Sequence, residues 1–334
     1  MSSPLKKAVL VGMPHYLPKA FPDHLRDEIG KITSLHPRLI DGAKWRDDRQ
    51  ALADVEIIFA TWGMPALDAE FLAAAPRLRA VFYAAGSVKG FAKPEAYARG
   101  IVISSAWEAN AVPVAEYSLA TILLGLKAFW WHARQMREGT FSHAKTAIAG
   151  AYHSNVGLVS LGAIGRRVAA HLSRLEVNVL AYDPFADPAV AAKAGVTLVS
   201  LEELFAKSDV VSIHAPWLPE TEKMINGALL RSMRQGATLI NTSRGAVIDE
   251  ADLCQVLKER ADLTAVLDVT HPEPPLPDSP LLTLENVILT PHIAGSIGGE
   301  IARMGDWMLG EFDRYLEGQP LQHAISQEML ARMA

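Results

Sequence analysis

Cysteine is almost missing from this chain: a single one, Cys254, occurs in 334 residues. An internal disulfide is therefore excluded, and the usage fits a reducing, cytoplasmic compartment. Cys254 sits among Leu253, Val256 and Leu257 at helical spacing, which reads as a core position. No C-x-x-C, no H-E-x-x-H and no carboxylate cluster with ligand spacing is present, so no metal is expected. Neither sign of charge dominates. The net charge of −5 predicts no nucleic-acid partner and no anionic membrane partner. The most apolar stretch, Tyr117 to Leu126, is expected to be too short to cross a bilayer, and Glu116 and Lys127 flank it. The opening residues MSSPLKKAVLVG run straight into a strand pattern, so no signal peptide is expected. There is no internal repeat and no low-complexity segment. With 50% hydrophobic and 21% charged residues the composition is ordinary for a globular protein, and the length suggests two domains.

What is present is organised around Val156 to Asp183. Val156 to Leu161 is an apolar run of the kind a buried parallel strand shows. Gly162-Ala163-Ile164-Gly165 then turns into a helix with Val168, Ala169, Leu172 and Leu175 on one face. A second apolar run, Val177 to Tyr182, ends at Asp183, 18 residues after Gly165. Strand, glycine turn, helix, strand and acid make half of a dinucleotide-binding unit. Free N–H groups at the helix start suit a pyrophosphate, and Asp183 suits a ribose diol. Ser160 stands where the fingerprint G-x-G-x-x-G has its first glycine. A purely structural strand-to-helix turn remains the alternative for these residues alone.

The N-terminal part alternates strands (Ala8–Val11, Val55–Ala60, Ala80–Tyr83, Ile101–Ser104) with helices such as Asp68–Ala74. A long helix is expected from Val112 to about Arg137, buried on several sides, with Pro113 in its first turn. Strands follow at Val210–Ile213, Thr238–Asn241, Thr264–Leu267 and Val287–Leu289, then a last helix over Gly299–Leu316. Pro272 to Pro280 reads as a rigid loop. The fold class is therefore α/β, with two doubly wound parallel-sheet domains. A Rossmann-type cofactor domain, 105–295, is inserted into a flavodoxin-like substrate domain, 1–104 and 296–334.

Doubly wound sheets bind ligands at the carboxyl ends of their strands. Three such ends carry Arg244, Asp268 with Glu273, and His292. Each has an alternative. Arg244 could pair with Asp249 on the surface, Glu273 could be a solvated loop charge, and His292 could be a capped core histidine. His214 ends another strand and could simply shape its loop. His15, His132, His143 and His153 have no evident partners.

Taken in order, these motifs resemble the D-isomer-specific 2-hydroxyacid dehydrogenases. The resemblance rests on Val156 to Gly165 with Asp183, Ser208-Asp209 through His214-Ala215-Pro216 to Thr221, and Asn241 to Asp249. It continues through Leu267-Asp268-Val269 to Glu273-Pro274 and Pro291-His292, with Asn110 and Val114-Ala115-Glu116 at the entry to the bridging helix. It implies catalysis by Arg244, Glu273 and His292. The histidine would donate a proton to the carbonyl oxygen as hydride arrives, and Glu273 would hold the imidazole and favour its charged form. Arg244 would hold the substrate carboxylate. NAD contacts are implied at Ser160, Gly162, Ala163, Ile164, Gly165, Asp183, His214, Ala215, Thr221, Thr242 and Asp268, the last at the nicotinamide carboxamide. Ala85, Gly86 and Ser87 resemble the loop whose amides grip the carboxylate. Ser87 stands where many relatives have a second glycine.

The expected substrate is an unphosphorylated 2-keto or 2-hydroxy acid, either small (glyoxylate- or hydroxypyruvate-like) or with an apolar tail, bound between the domains. The loops that would wall it carry Trp62, Met64, Tyr83 and Trp107, with Lys89 as the nearby cation. Tyr83 stands where phosphoglycerate-using relatives tend to carry arginine. Two other functions fit the same fold: a formate-type dehydrogenase, and an NADH-sensing scaffold with little turnover. A homodimer formed by the cofactor domain is expected, and no extra regulatory domain is expected.

Overall fold

The computed structural model describes residues 5–141, 148–331 and 333; His143 lies outside them. The chain divides into two compact units, one of Met1–Asn110 with Ser296–Met333, the other of Ala111–Gly295. The first crossing thus falls inside a helix, beyond the 104/105 position read from the sequence.

In the first unit the described strands are β1 (Lys7–Gly12), β2 (Ser34–Leu35), β3 (Ile40–Asp41), β4 (Ile57–Ala60), β5 (Ala80–Tyr83) and β6 (Val102–Ser105). Their order is β2-β1-β4-β5-β6 with β3 beside β1, all parallel. This is the flavodoxin-like order once the short β3 is set aside. Four-residue apolar strands such as Ile57–Ala60 are wholly buried because helices cover both faces. One face packs Phe59 and Phe82 edge-on against Phe312 of the helix Glu300–Leu316. The buried Glu311 carboxylate of that helix accepts from Ser104 Oγ and from the amides of Gln322 and His323. The tail is thereby held antiparallel to β6, with Ser104 opposite Ala324.

In the second unit the described strands are β7 (Asn155–Val159), β8 (Asn178–Tyr182), β9 (Val196–Leu198), β10 (Val210–Ile213), β11 (Thr238–Asn241), β12 (Thr264–Leu267) and β13 (Val287–Leu289). They run parallel in the order β13-β12-β11-β10-β7-β8-β9. Connections leave β7 in one direction to β8 and β9, and in the other to β10 onward. The switch point of a Rossmann sheet therefore lies between β7 and β10. Asn241, Leu267 and Leu289, the last residues of β11, β12 and β13, are aligned in register. The residues that follow them start from one edge.

The long helix departs from its sequence reading. It starts at Trp107 and ends at Leu126, and Pro113 lies in its interior instead of its first turn. The chain breaks at Ala128, in the left-handed region at φ 47°, and a separate helix runs over Phe129–Arg137. None of that second helix is buried, and Phe129 and Met136 are exposed. The expectation of one continuous, buried helix is corrected on both points. Its length is corrected too: 20 residues at a mean hydropathy of 1.3 suffice to cross a membrane by length and composition, although 56% of that window is buried in the fold.

Candidate active site

Arg244, Glu273 and His292 all extend from the edge where β11, β12 and β13 end. His292 Nδ1 lies 2.6 Å from Glu273 Oε1. Both side chains are about half exposed, at 48% and 41%. The exposure of His292 removes the core-histidine alternative, and the contact gives the exposed Glu273 a partner. The His292 backbone sits in the left-handed region at φ 56°, a conformation costing on the order of 1–3 kcal/mol in a non-glycine residue. It is imposed by Asp268, whose carbonyl accepts the His292 amide at 2.9 Å. The buried Asp268 carboxylate also accepts from Ile293 and Ala294 amides at 2.8 Å and from Thr290 Oγ1 at 2.6 Å. Asp268 was expected to face a nicotinamide; in this structure its carboxylate shapes the His292 loop, and Oδ2 accepts from Ala294 N alone, which leaves it a lone pair.

Arg244 is partly buried, and burial lowers its pKa from the ordinary arginine value, while the Glu273 charge opposes the drop. A guanidinium therefore lies close enough to feel the carboxylate that holds the imidazole. The suggested surface pair with Asp249 does not form: Asp249 accepts from Lys223 at 3.3 Å and caps the helix Glu250–Glu259. The Arg244 backbone is fixed by Asn241, whose Nδ2 donates to Arg244 O at 2.9 Å while its Oδ1 accepts from Ser243. Gly245 meets the backbone of the β12 loop so closely that an added Cβ would lie 2.1 Å from Thr270 C. Only glycine allows the Arg244 and Glu273 loops to approach in this way.

The glycine turn lies on the same edge of the sheet. Ser160 holds φ 80°, the left-handed conformation that explains the glycine usually found there. A Cβ at Gly165 would sit 2.1 Å from Ser160 O, so the helix Ala163–Leu172 can pack onto the turn only through glycine. Its N-cap, Gly162, has no side chain to satisfy the first amides of Ala163 and Ile164. Asp183 Oδ2 accepts from Leu161 N at 2.7 Å and from Ser160 Oγ at 3.4 Å, and Oδ1 accepts from Phe185 N at 2.8 Å, which leaves Oδ1 a further lone pair. His214, at the end of β10, is buried and pushed down to about 4 by desolvation. Its Nε2 meets Ser212 Oγ at 3.1 Å, and its buried Nδ1 has no partner among the described residues. An uncapped helix start, a glycine cradle and an orphaned buried nitrogen together fit a dinucleotide. Thr221 closes its own turn onto Pro216 O at 2.5 Å, and Ala215 is buried beside it. Thr242 is buried and touches Ser118 Oγ at 3.3 Å.

The first unit carries its own loop after β5. Ser105 Oγ donates to Ala85 O at 2.9 Å and to Gly86 O at 2.5 Å, and Ser87 Oγ accepts from Lys89 N. Trp62 is partly exposed and packs on Tyr16 at 4.8 Å. Tyr83, expected to face a substrate, is only 5% exposed and packs on Phe91 within the core, as Met64 does nearby. Sequence reading did not single out Thr290 or Tyr117, whose hydroxyls meet at 3.2 Å. The only signal was the position of Thr290 directly after a strand.

A family model described as D-isomer specific 2-hydroxyacid dehydrogenase, NAD binding domain, matches residues 119–294. D-3-phosphoglycerate dehydrogenase of Archaeoglobus fulgidus is 34% identical over 260 residues, which are 78% of this chain and 49% of that protein. The chain thus spans about half the length of the D-3-phosphoglycerate dehydrogenases it matches. Glyoxylate reductase of Korarchaeum cryptofilum is 33% identical over 268 residues, covering 79% of this chain and 81% of that protein. D-mandelate dehydrogenase of Rhodotorula graminis superposes with a TM-score of 0.80 at 25% identity, over 97% of this chain and 98% of that one.

Proposed function

The chain belongs to the D-isomer specific 2-hydroxyacid dehydrogenase family, and from that premise we propose that it interconverts unphosphorylated 2-keto acids and D-2-hydroxy acids with NAD(H). The observation that carries this reading is the 2.6 Å contact of His292 Nδ1 with Glu273 Oε1, on the sheet edge from which Arg244 also extends. Bound NADH supplies the hydride. Because Glu273 engages Nδ1, the ring nitrogen left for substrate is Nε2. In the reductive direction Nε2–H donates its proton to the carbonyl oxygen as negative charge develops there. Glu273 keeps the tautomer and the ring orientation. Arg244 binds the substrate carboxylate through its planar fork and polarises the ketone. Asp183 favours NADH over NADPH, since a carboxylate repels a 2′-phosphate. In the first unit, the amides of Gly86 and Ser87 are a carboxylate-binding element, while the Ala85 amide donates to Tyr83 O at 2.9 Å. Of the expected wall residues, Tyr83 supports this loop from within the core, and Trp62 keeps an open edge.

The absence of phosphate on the substrate is argued from charge. A phosphorylated substrate needs several converging cations, and the loops 61–65 and 83–89 contain one, Lys89. A second reading, 3-phosphohydroxypyruvate reduction, is favoured by the names of several relatives. Competition kinetics with glyoxylate, hydroxypyruvate, phenylpyruvate and 3-phosphohydroxypyruvate decide between the two. A clear preference for the phosphorylated acid would replace our reading with the second.

A further inference from the structure

We propose that Tyr117 and Ser118, neighbours on the helix Trp107–Leu126, are positioning residues that set the loops carrying His292 and Arg244. This inference rests on the roles given above to those two side chains. Thr242, Asp268 and Thr290 are the first residues past β11, β12 and β13, and so form one row along the edge. His292 and Arg244 each follow a threonine of this row by two positions. The helix touches both threonines. Tyr117 Oη lies 3.2 Å from Thr290 Oγ1, and Ser118 Oγ lies 3.3 Å from Thr242 Oγ1.

The directions of these bonds follow from counting protons. A hydroxyl has one. Thr290 donates its own to Asp268 Oδ1 at 2.6 Å, so Tyr117 must be the donor to Thr290. Ser118 donates to Val114 O at 2.7 Å, so Thr242 must be the donor to Ser118. Tyr117, Thr290 and Asp268 therefore form a directed chain. It ends on the carboxylate that holds the Ile293 and Ala294 amides and whose own carbonyl holds the His292 amide. Thr290 and Thr242 end strands two apart, a separation of roughly 10 Å. Adjacent helix residues reach both only if one side chain is long and the other short, as tyrosine and serine are. The surrounding helix is apolar, and Ser118 is fully buried. Ser118 satisfies its own proton on Val114 O, so what it offers Thr242 is an acceptor, and Tyr117 offers Thr290 a donor.

The test uses the full chain with Tyr117→Phe, Ser118→Ala, Thr290→Val and the Tyr117→Phe/Thr290→Val pair. Kinetics are measured with NADH and the best keto acid. Tyr117→Phe is expected to lower kcat about tenfold with keto-acid KM within about twofold, because the proton donor is displaced. Ser118→Ala is expected to raise KM about tenfold through Arg244, and Ser118→Thr to restore it. The double variant should match Thr290→Val alone, since coupled groups are not additive. Amide hydrogen exchange at Ile293 and Ala294 gives a readout that needs no turnover, and Tyr117→Phe should speed it about tenfold. Wild-type kcat in Tyr117→Phe, additive losses in the pair, or unchanged exchange overturns the proposal. If Arg244→Ala and His292→Ala are themselves fully active, the catalytic reading fails instead, and the exchange result alone then judges the positioning.

Discussion

Burial of His214 makes stability depend on pH in a defined window. Its imidazole is pushed down to about 4 by desolvation, from an ordinary value near 6.5. Between these values the unfolded chain binds a proton that the folded chain refuses. The contribution is complete above about pH 6.5 and is lost as pH falls toward 4. The full shift is worth about 3 kcal/mol, and the part lost between pH 7.5 and pH 5 is about 2 kcal/mol. The perturbation is His214→Gln, which keeps a polar partner for Ser212 and removes the titration. Urea unfolding of both proteins at the two pH values gives the difference directly. Carboxylates elsewhere contribute equally to both proteins and cancel. The wild type should lose about 2 kcal/mol more than the variant over this interval. An equal loss in the two proteins would refute the claim that a neutral, buried imidazole adjoins the glycine turn.

Two further outcomes follow from the second unit. Ser160→Gly relieves a left-handed serine and should raise stability by about 1 kcal/mol after glycine's extra unfolded-chain entropy, read as a higher Tm; a lower Tm would contradict the strain. The exposed Phe129 and Met136 on the helix Phe129–Arg137 lead us to propose a homodimer that covers them. Light scattering at micromolar concentration should report twice the chain mass, and Phe129→Glu with Met136→Glu should halve it.

Much of this architecture was legible because buried parallel strands are short apolar runs. Val210–Ile213, Thr238–Asn241, Thr264–Leu267 and Val287–Leu289 were read at their observed bounds. The two-residue strands β2 and β3 carry too little pattern to be seen, and β9, Val-Thr-Leu with its threonine exposed, lacks the apolar run that marked the three-residue β13. The long helix was misread because Pro113 looks like a first-turn proline, and because Ala128 ends the helix in a conformation that glycine usually marks. Arg244, Glu273 and His292 could be listed together because topology sends successive strand ends to one edge. Their supports could not. Tyr117 and Thr290 are far apart in the chain, and a hydroxyl pair at that separation leaves no periodic trace. Tyr83 was open for a related reason: a strand-end aromatic reads equally well as ligand wall or as core, and in the structure it is 5% exposed and packs on Phe91.

The measurement closest to the central claim is the rate of keto-acid reduction by His292→Ala with saturating NADH on the best substrate of the panel. A fall in kcat on the order of 10²–10⁴-fold is predicted, because the proposed proton donor is removed. NADH should bind the variant as it binds the wild type, since the glycine turn is untouched. A wild-type-like kcat would remove His292 as proton donor, and with it the mechanism built on the Glu273 contact.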